Sequence, residues 1–201
     1  MLRFDAIPEL VKARLDELSD RGLDEFALGG GTSLALRMGH RISVDLDFFT
    51  EVGFSPEELF EEIALADATV IRNARNTLAV NANGVKVEFL RHAYPLLAPI
   101  DLIEGVRMLS LPDVAAMKLN AIANRGSKKD FFDVVELLEH DPLPNLLGYF
   151  ASKYRSSDPF TVIRSLVWFE DAEREPDPVS MVGKTWEEVK ASVVVATGKL
   201  I

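Results

Sequence analysis

Two aspartates one residue apart, Asp45 and Asp47, lie in a stretch of strict alternation, Val44-Asp45-Leu46-Asp47-Phe48. Successive side chains of a strand point to opposite faces, so the two carboxylates share one face while Val44, Leu46 and Phe48 take the core side. Carboxylates about 7 Å apart along a strand repel each other, and a divalent cation between them relieves the repulsion. Alone, the pair reads more readily as two acids on a solvated face. Glu88 adds a third: in Val85-Lys86-Val87-Glu88-Phe89 the apolar residues hold the core parity, and Glu88 faces the other way beside Lys86. If the two strands are neighbours, three carboxylates converge. Phosphoryl transfer with two metals needs such a cluster, because hard cations bridge a triphosphate, neutralise developing charge and lower the pKa of an attacking hydroxyl.

A glycine turn precedes the acids. Gly29-Gly30-Gly31-Thr32-Ser33 stands between a short apolar stretch and a helical pattern. Free backbone N–H groups and the helix dipole suit a phosphate there, and glycine allows close approach. The alternative is a tight packing turn; no Gly-Lys-Ser/Thr follows, so it is not a Walker loop. Ser43 shares the parity of Asp45 and can hydrogen-bond a ligand or a carboxylate, or simply be a strand-edge polar residue.

The elements that must position these residues follow from periodicity. Residues 8–20 predict a helix with Leu10, Val11, Leu15 and Leu18 on its apolar stripe. Residues 26–28 predict a short buried strand, 32–38 a helix ended by Gly39, and 42–49 the acidic strand. A helix over 55–67 has Ser55 as cap and Pro56 at its first position. Strands over 68–74, 76–82 and 85–91 follow, the last two joined by the hairpin signal Asn83-Gly84. Beyond about residue 110 the pattern is helical: 111–125, 128–140, 143–155, 159–175 and 185–199. His40 reads as a surface turn residue, and Trp168 and Phe169 as helix core. The chain thus reads as α+β over 1–108, followed by a helical region over 109–201 packed on that core.

Composition narrows the chemistry. There is no cysteine, which excludes disulfides and thiolate metal sites, and only three histidines, His40, His92 and His140, far apart. A metal here is therefore a hard cation on oxygen ligands. The net charge of −10 argues against broad nonspecific nucleic-acid binding. Local basic groups exist at Arg72, Arg75, Lys86 and Arg91 and at Arg125, Lys128 and Lys129, each readable as solvated surface charge. No apolar run is long enough for a membrane span and no signal peptide is evident, so a cytoplasmic protein is expected.

The block GGGTSLALRMGHRISVDLDFF resembles the glycine-rich signature and paired acids of the polymerase-β-like nucleotidyltransferases. In its finer pattern the chain is similar to the AbiEii/AbiGii toxin family. The similarity rests on four ordered elements: Gly30-Gly31-Thr32, Arg41 through Asp47, Lys118 in a later helix, and Lys129-Asp130-Phe131-Phe132-Asp133. The resemblance implies a polymerase-β-like nucleotidyltransferase fold, a mixed sheet flanked by helices, with a nucleoside triphosphate as donor and Mg²⁺ as cofactor. It implies Asp45, Asp47 and Glu88 as metal ligands, and nucleotide contacts from Gly30, Gly31, Thr32 and Lys118, with Ser33, Arg41 and Ser43 beside them. It also implies that Lys129, Asp130 and Asp133 are needed for activity. From the residues alone Lys118 sits at the edge of an apolar stripe, and acids in a first helical turn also serve the helix dipole.

The expected reaction is attack of a hydroxyl on the α-phosphate with loss of pyrophosphate. The expected setting is a toxin with a cognate antitoxin protein and an RNA (tRNA included) or protein acceptor. Many members carry a larger C-terminal helical region, so the part that recognises the acceptor is expected to be reduced, and Glu stands at position 88 where Asp also serves. Two alternatives stay open: a small-molecule, antibiotic-type nucleotidyltransferase, and a non-catalytic nucleotide- or partner-binding module.

Overall fold

The computed structural model describes residues 1–200 and resolves the chain into two compact units. The first comprises residues 1–37, 43–95 and 99–109; the second comprises 38–42, 96–98 and 110 onward.

The first unit is built on a mixed sheet. Its strands are β1 (Ala27–Leu28), β2 (Leu46–Thr50), β3 (Ala68–Ala74), β4 (Thr77–Ala82), β5 (Val85–Arg91), β6 (Asp101–Ile103) and β7 (Val106–Met108), in the spatial order β3-β4-β5-β2-β1-β7-β6. Strand β2 is central, antiparallel to β1 and parallel to β5. Its buried side, Leu46 and Phe48, joins Val87 and Phe89 of β5 in the core, with Phe48 and Phe89 stacked at 5.3 Å. Helices α1 (Glu9–Asp20) and α3 (Pro56–Ile63) cover this apolar face through Val11, Leu15, Leu18, Leu59 and Ile63. Ser55 caps α3 by accepting from the Glu58 N–H. Helix α2 (Gly30–Met38) follows β1 directly.

Several boundaries differ from the sequence reading. The acidic strand begins at Leu46 rather than at residue 42. The Asp45 carbonyl accepts from Thr32 Oγ1, and the Ser43 N–H is given to the Ala6 carbonyl, so this stretch bonds outside the sheet. Val44 is consequently 53% exposed instead of buried, and Leu10 also lies outside the core. Helix α2 starts two residues earlier than read, at Gly30. The Asn83-Gly84 turn forms as expected, both residues having positive φ. The hairpin β6–β7, turning at Glu104-Gly105, was not anticipated because its strands are only three residues long.

The second unit is helical: α4 (Leu111–Asn124), α5 (Lys128–His140), α6 (Leu143–Lys153), α7 (Pro159–Leu166), α8 (Glu170–Glu173) and α9 (Trp186–Gly198). The single helix expected over 159–175 breaks at Val167–Phe169. A continuous helix would carry Glu170 and Glu173 onto the stripe of Val162 and Leu166. The break instead buries Ala172 and sets Phe169 against Phe131 and Trp186. Trp168 is left 57% exposed, contrary to its core assignment. At the other end of the unit, Asp113 of α4 accepts from the N–H groups of Leu97 and Ala98, from Ser110 Oγ and, at 2.7 Å, from Lys153 Nζ of α6. Both charges are fully buried.

Removing one partner of such a pair strands the other charge away from water. Lys153→Ala is expected to lower stability by roughly 3–5 kcal/mol in urea unfolding. Lys153→Met combined with Asp113→Asn should recover part of the loss.

Candidate active site

Register places the acids. Asp47 pairs directly with Glu88 across the parallel β2–β5 ladder, so the two carboxylates stand side by side on the face opposite the core. Asp45, two residues earlier, precedes the first paired residue, Leu46, which stands opposite Val87. All three acids are partly buried. Lys86, which shares this face of β5 two residues before Glu88, gives a 2.7 Å hydrogen bond to Glu88 Oε2. That bond is the main influence holding the Lys86 ammonium above its ordinary pKa; partial burial opposes it, and the charges of Glu88, Asp45 and Asp47 add to it. A cation therefore already lies in the common field of the three carboxylates.

The glycine turn fits against these acids. The Gly29 N–H donates to the Asp47 carbonyl at 2.8 Å. Gly30 has φ +63°, and a Cβ there would lie 2.6 Å from Asp47 Oδ2. The absence of that Cβ is what lets the Asp47 carboxylate reach the N-terminus of α2, where the helix dipole favours negative charge. Gly29 serves packing, since its Cβ would meet the Phe49 ring at 2.7 Å and Leu109 at 2.9 Å.

The polar side chains of the turn serve it internally. Thr32 Oγ1 bonds Ser43 Oγ at 2.8 Å and the Asp45 carbonyl, and Ser33 Oγ donates to the Gly30 carbonyl. All three hydroxyls belong to buried residues. The bonds of Thr32 hold the acidic segment to α2, while that of Ser33 stays within the turn.

The remaining residues form a buried charge network in the helical unit. Asp133 of α5 accepts from Arg41 Nε at 2.7 Å and Nη2 at 2.9 Å, bonds His40 Nε2 at 2.8 Å, and pairs with Lys118 Nζ at 2.6 Å. Asp130 pairs with Lys118 at 3.0 Å and with Arg125 at 2.8 Å. Burial alone would raise the Asp133 pKa; the charges of Lys118 and Arg41, with hydrogen bonds from His40 and Arg41, hold it well below the ordinary carboxylate range. Asp130 is lowered in the same way, against its own burial, by Lys118 and Arg125. Burial likewise depresses Lys118, and the charges of Asp133 and Asp130 more than offset this.

This geometry corrects three readings. Arg41 is buried and paired with Asp133, which its place before the acids did not suggest. Lys118 is buried within α4 rather than at the edge of its stripe. His40 is buried rather than on the surface. Lys118, Asp130 and Asp133 hold one another, whereas Lys129 is exposed. No local pattern marks His40 or Arg125 as members of the network, because their partners lie on α5.

Oxygen donors with no cysteine or histidine among them suit a hard cation. The field around Lys86 and the Asp47 notch at Gly30 fit one. The acids are nonetheless not drawn tightly together: among the described residues no group of three acidic or histidine side chains is gathered closely enough to hold a metal ion.

Residues 15–199 match the family profile described as nucleotidyl transferase AbiEii toxin, type IV toxin–antitoxin system. An uncharacterized protein of Aquifex aeolicus (strain VF5) is 36% identical over 178 residues, which span 83% of this chain and 84% of that protein. Two solved structures share the fold. A putative nucleotidyltransferase from H. pylori has a TM-score of 0.58 and 20% identity, covering 96% of this chain and 92% of that one. MenT4, a nucleotidyltransferase toxin from Mycobacterium tuberculosis H37Rv, has a TM-score of 0.62 and 17% identity, covering 94% and 82%. No helix among the described residues is long and apolar enough to cross a membrane.

Two outcomes follow from the geometry. Gly30→Ala should cost about 1–2 kcal/mol through its left-handed backbone and, by displacing the Asp47 carboxylate, lower nucleotidyl transfer at least about tenfold in initial-rate assays. Asp130 and Asp133 have lowered folded pKa values. Their contribution to stability is therefore fully present above the ordinary carboxylate pKa of about 3.9 and is lost as pH falls through the lower folded values. Asp133→Asn should destabilise by roughly 3–5 kcal/mol near neutrality, because Arg41 loses its carboxylate partner and Lys118 keeps only Asp130, and should flatten the acid limb of a stability–pH curve.

Proposed function

The chain belongs to the AbiEii nucleotidyltransferase toxin family, and on that premise we propose that it moves a nucleoside monophosphate from a nucleoside triphosphate to a hydroxyl of an RNA. The observation that carries the reading is the in-register Asp47–Glu88 pair, with Asp47 lodged against Gly30 at the start of α2.

In this reading the acceptor oxygen attacks the α-phosphorus, the bond from that phosphorus to the bridging oxygen breaks, and pyrophosphate leaves. Asp45, Asp47 and Glu88 would hold Mg²⁺, which when bound supplies charge neutralisation for the triphosphate and the departing pyrophosphate. Glu88 takes the proton of the attacking hydroxyl. Backbone N–H groups of Gly30, Gly31 and Thr32 orient phosphate oxygens, a role open to the main chain even though the Thr32 hydroxyl is committed elsewhere. The Asp133 network fixes the Met38–Ile42 segment, and Arg41 lies four residues before Asp45 along the chain. Lys129 is the member of its group with an exposed side chain. The type IV toxin–antitoxin description of the family supports a protein antitoxin as partner and a toxin's role for the transfer itself.

The test is incubation with each α-labelled triphosphate, Mg²⁺ and total RNA. Wild type should label RNA with one or more of the triphosphates and release pyrophosphate, and ribonuclease should destroy the labelled product. Asp47→Ala should reduce labelling by at least about 100-fold. Equal labelling by both proteins would contradict the reading, and label that survives ribonuclease would move the acceptor from RNA to protein or a small molecule.

A further inference from the structure

The acids divide the sheet into two sides. The glycine turn and the start of α2 lie on the β1 side of Asp47, and Glu88 lies on the β5 side. Beyond Glu88 the sheet continues through β4 to β3, which is its edge. With a triphosphate held at α2, pyrophosphate leaves toward β1. In-line displacement then brings the attacking hydroxyl from the β5 side. A chain ending in that hydroxyl has β4 and β3 in its path.

Register fixes what such a chain meets. One row of the sheet runs Asp47, Glu88, Ala79, Arg72. Ala79 contributes only a methyl group, so no long side chain of β4 separates Arg72 from Glu88, two strand spacings or about 10 Å away. Strict alternation from Val70, which pairs with Val80 of the core, would return Arg72 to the core side. The bulge at Ile71 shifts the register by one residue and turns Arg72 to the face of the acids instead. The Arg72 side chain is exposed and makes no hydrogen bond or ion pair with any described residue. Residues 68–87 contain no acid and carry Arg72, Arg75 and Lys86, within a chain of net charge −10. The charge balance is thus reversed where a polyanion would pass. A charge on an edge strand also discourages edge-to-edge pairing, but it does so from either face. The acid-free stretch and the row leading to Glu88 point to a ligand.

We propose that β4 and β3 form the track of the RNA acceptor, with Arg72 binding a backbone phosphate a few nucleotides before the hydroxyl that reacts beside Glu88. Thr69 and Asn81, paired and exposed on the same face one row along, are further donors to the RNA backbone. Asn81 Oδ1 is held by the Gly84 N–H, which leaves its amide hydrogens for a ligand. This role rests on the reading of RNA as acceptor and of Asp47 and Glu88 as the reaction centre, and it requires no bound metal. Arg72 touches the substrate away from the reacting atoms, so it sets affinity for RNA and not the rate of the chemical step.

The test is binding of a short fluorescein-labelled single-stranded RNA of mixed sequence to the full chain, read by anisotropy in EDTA, together with initial rates of RNA labelling from an α-labelled triphosphate. Circular dichroism verifies that each variant is folded. Loss of one phosphate contact in Arg72→Gln should weaken binding about fivefold at about 0.1 M salt and reduce the slope of log K against log salt by about 0.7. KM for RNA should rise in the same proportion, with kcat and the KM for triphosphate unchanged. Arg72→Lys should retain most of the affinity. Arg75→Gln removes the same charge from the hairpin turn, off the row, and should stay close to wild type. Arg72→Gln equal to wild type in binding and KM, or Arg75→Gln losing as much as Arg72→Gln, would overturn the track while leaving RNA as acceptor. Wild type that neither binds nor labels RNA would overturn the acceptor reading and the track together.

Discussion

The parallel pairing of β2 with β5 is the interaction on which the rest of the first unit depends. It lays Leu46, Phe48, Val87 and Phe89 into one core and, by the same two-residue period, sets Asp47 and Glu88 together on the opposite face. Burying the apolar side is what makes the close approach of the acids tolerable. A slip of one residue would bury the carboxylates and expose the phenylalanines, so hydrophobic burial of one face enforces the register of the other.

The acids are then trimmed by short-range devices. The missing Cβ of Gly30 admits the Asp47 carboxylate to a helix N-terminus, and Lys86 holds Glu88 from the side open to solvent. Thr32 and Ser43 tie the Asp45 segment to α2, and the strand begins at Leu46 rather than at residue 42. Each device offsets a charge or fixes a carbonyl. Together they leave the carboxylates ordered yet apart, an arrangement that a bound cation would draw in.

The helical unit answers a different electrostatic problem. Its charges are inside, where an unpaired ion is costly, and they are paired almost completely: Asp133 with Arg41, Lys118 and His40, Asp130 with Lys118 and Arg125, and Asp113 with Lys153. Such networks specify one packing of the helices more than they add net stability. Of the residues that family resemblance marks as important, Lys118, Asp130 and Asp133 are buried members of that network, whereas Lys129 is exposed.

Much of this was legible in the residues. The alternation through Asp45 and Asp47, the Asn83-Gly84 turn and the period of the five later segments identified nearly every element, and parity alone put Glu88 on the face of the acids. These are local properties, set by a period of 2 or 3.6 and by the few residues that accept positive φ. What the sequence could not carry was decided by partners far along the chain. Thr32 takes the Asp45 carbonyl and the strand starts only at Leu46, Asp133 buries His40 and Arg41, and the packing of Phe169 on Phe131 and Trp186 breaks a helix that its own pattern would continue. A hydrogen bond or ion pair between residues some ninety positions apart leaves no periodic trace. The acidic face was therefore determined by the sequence itself, whereas its neighbours' roles, ligand contact or internal brace, were decided only when the tertiary structure supplied their partners.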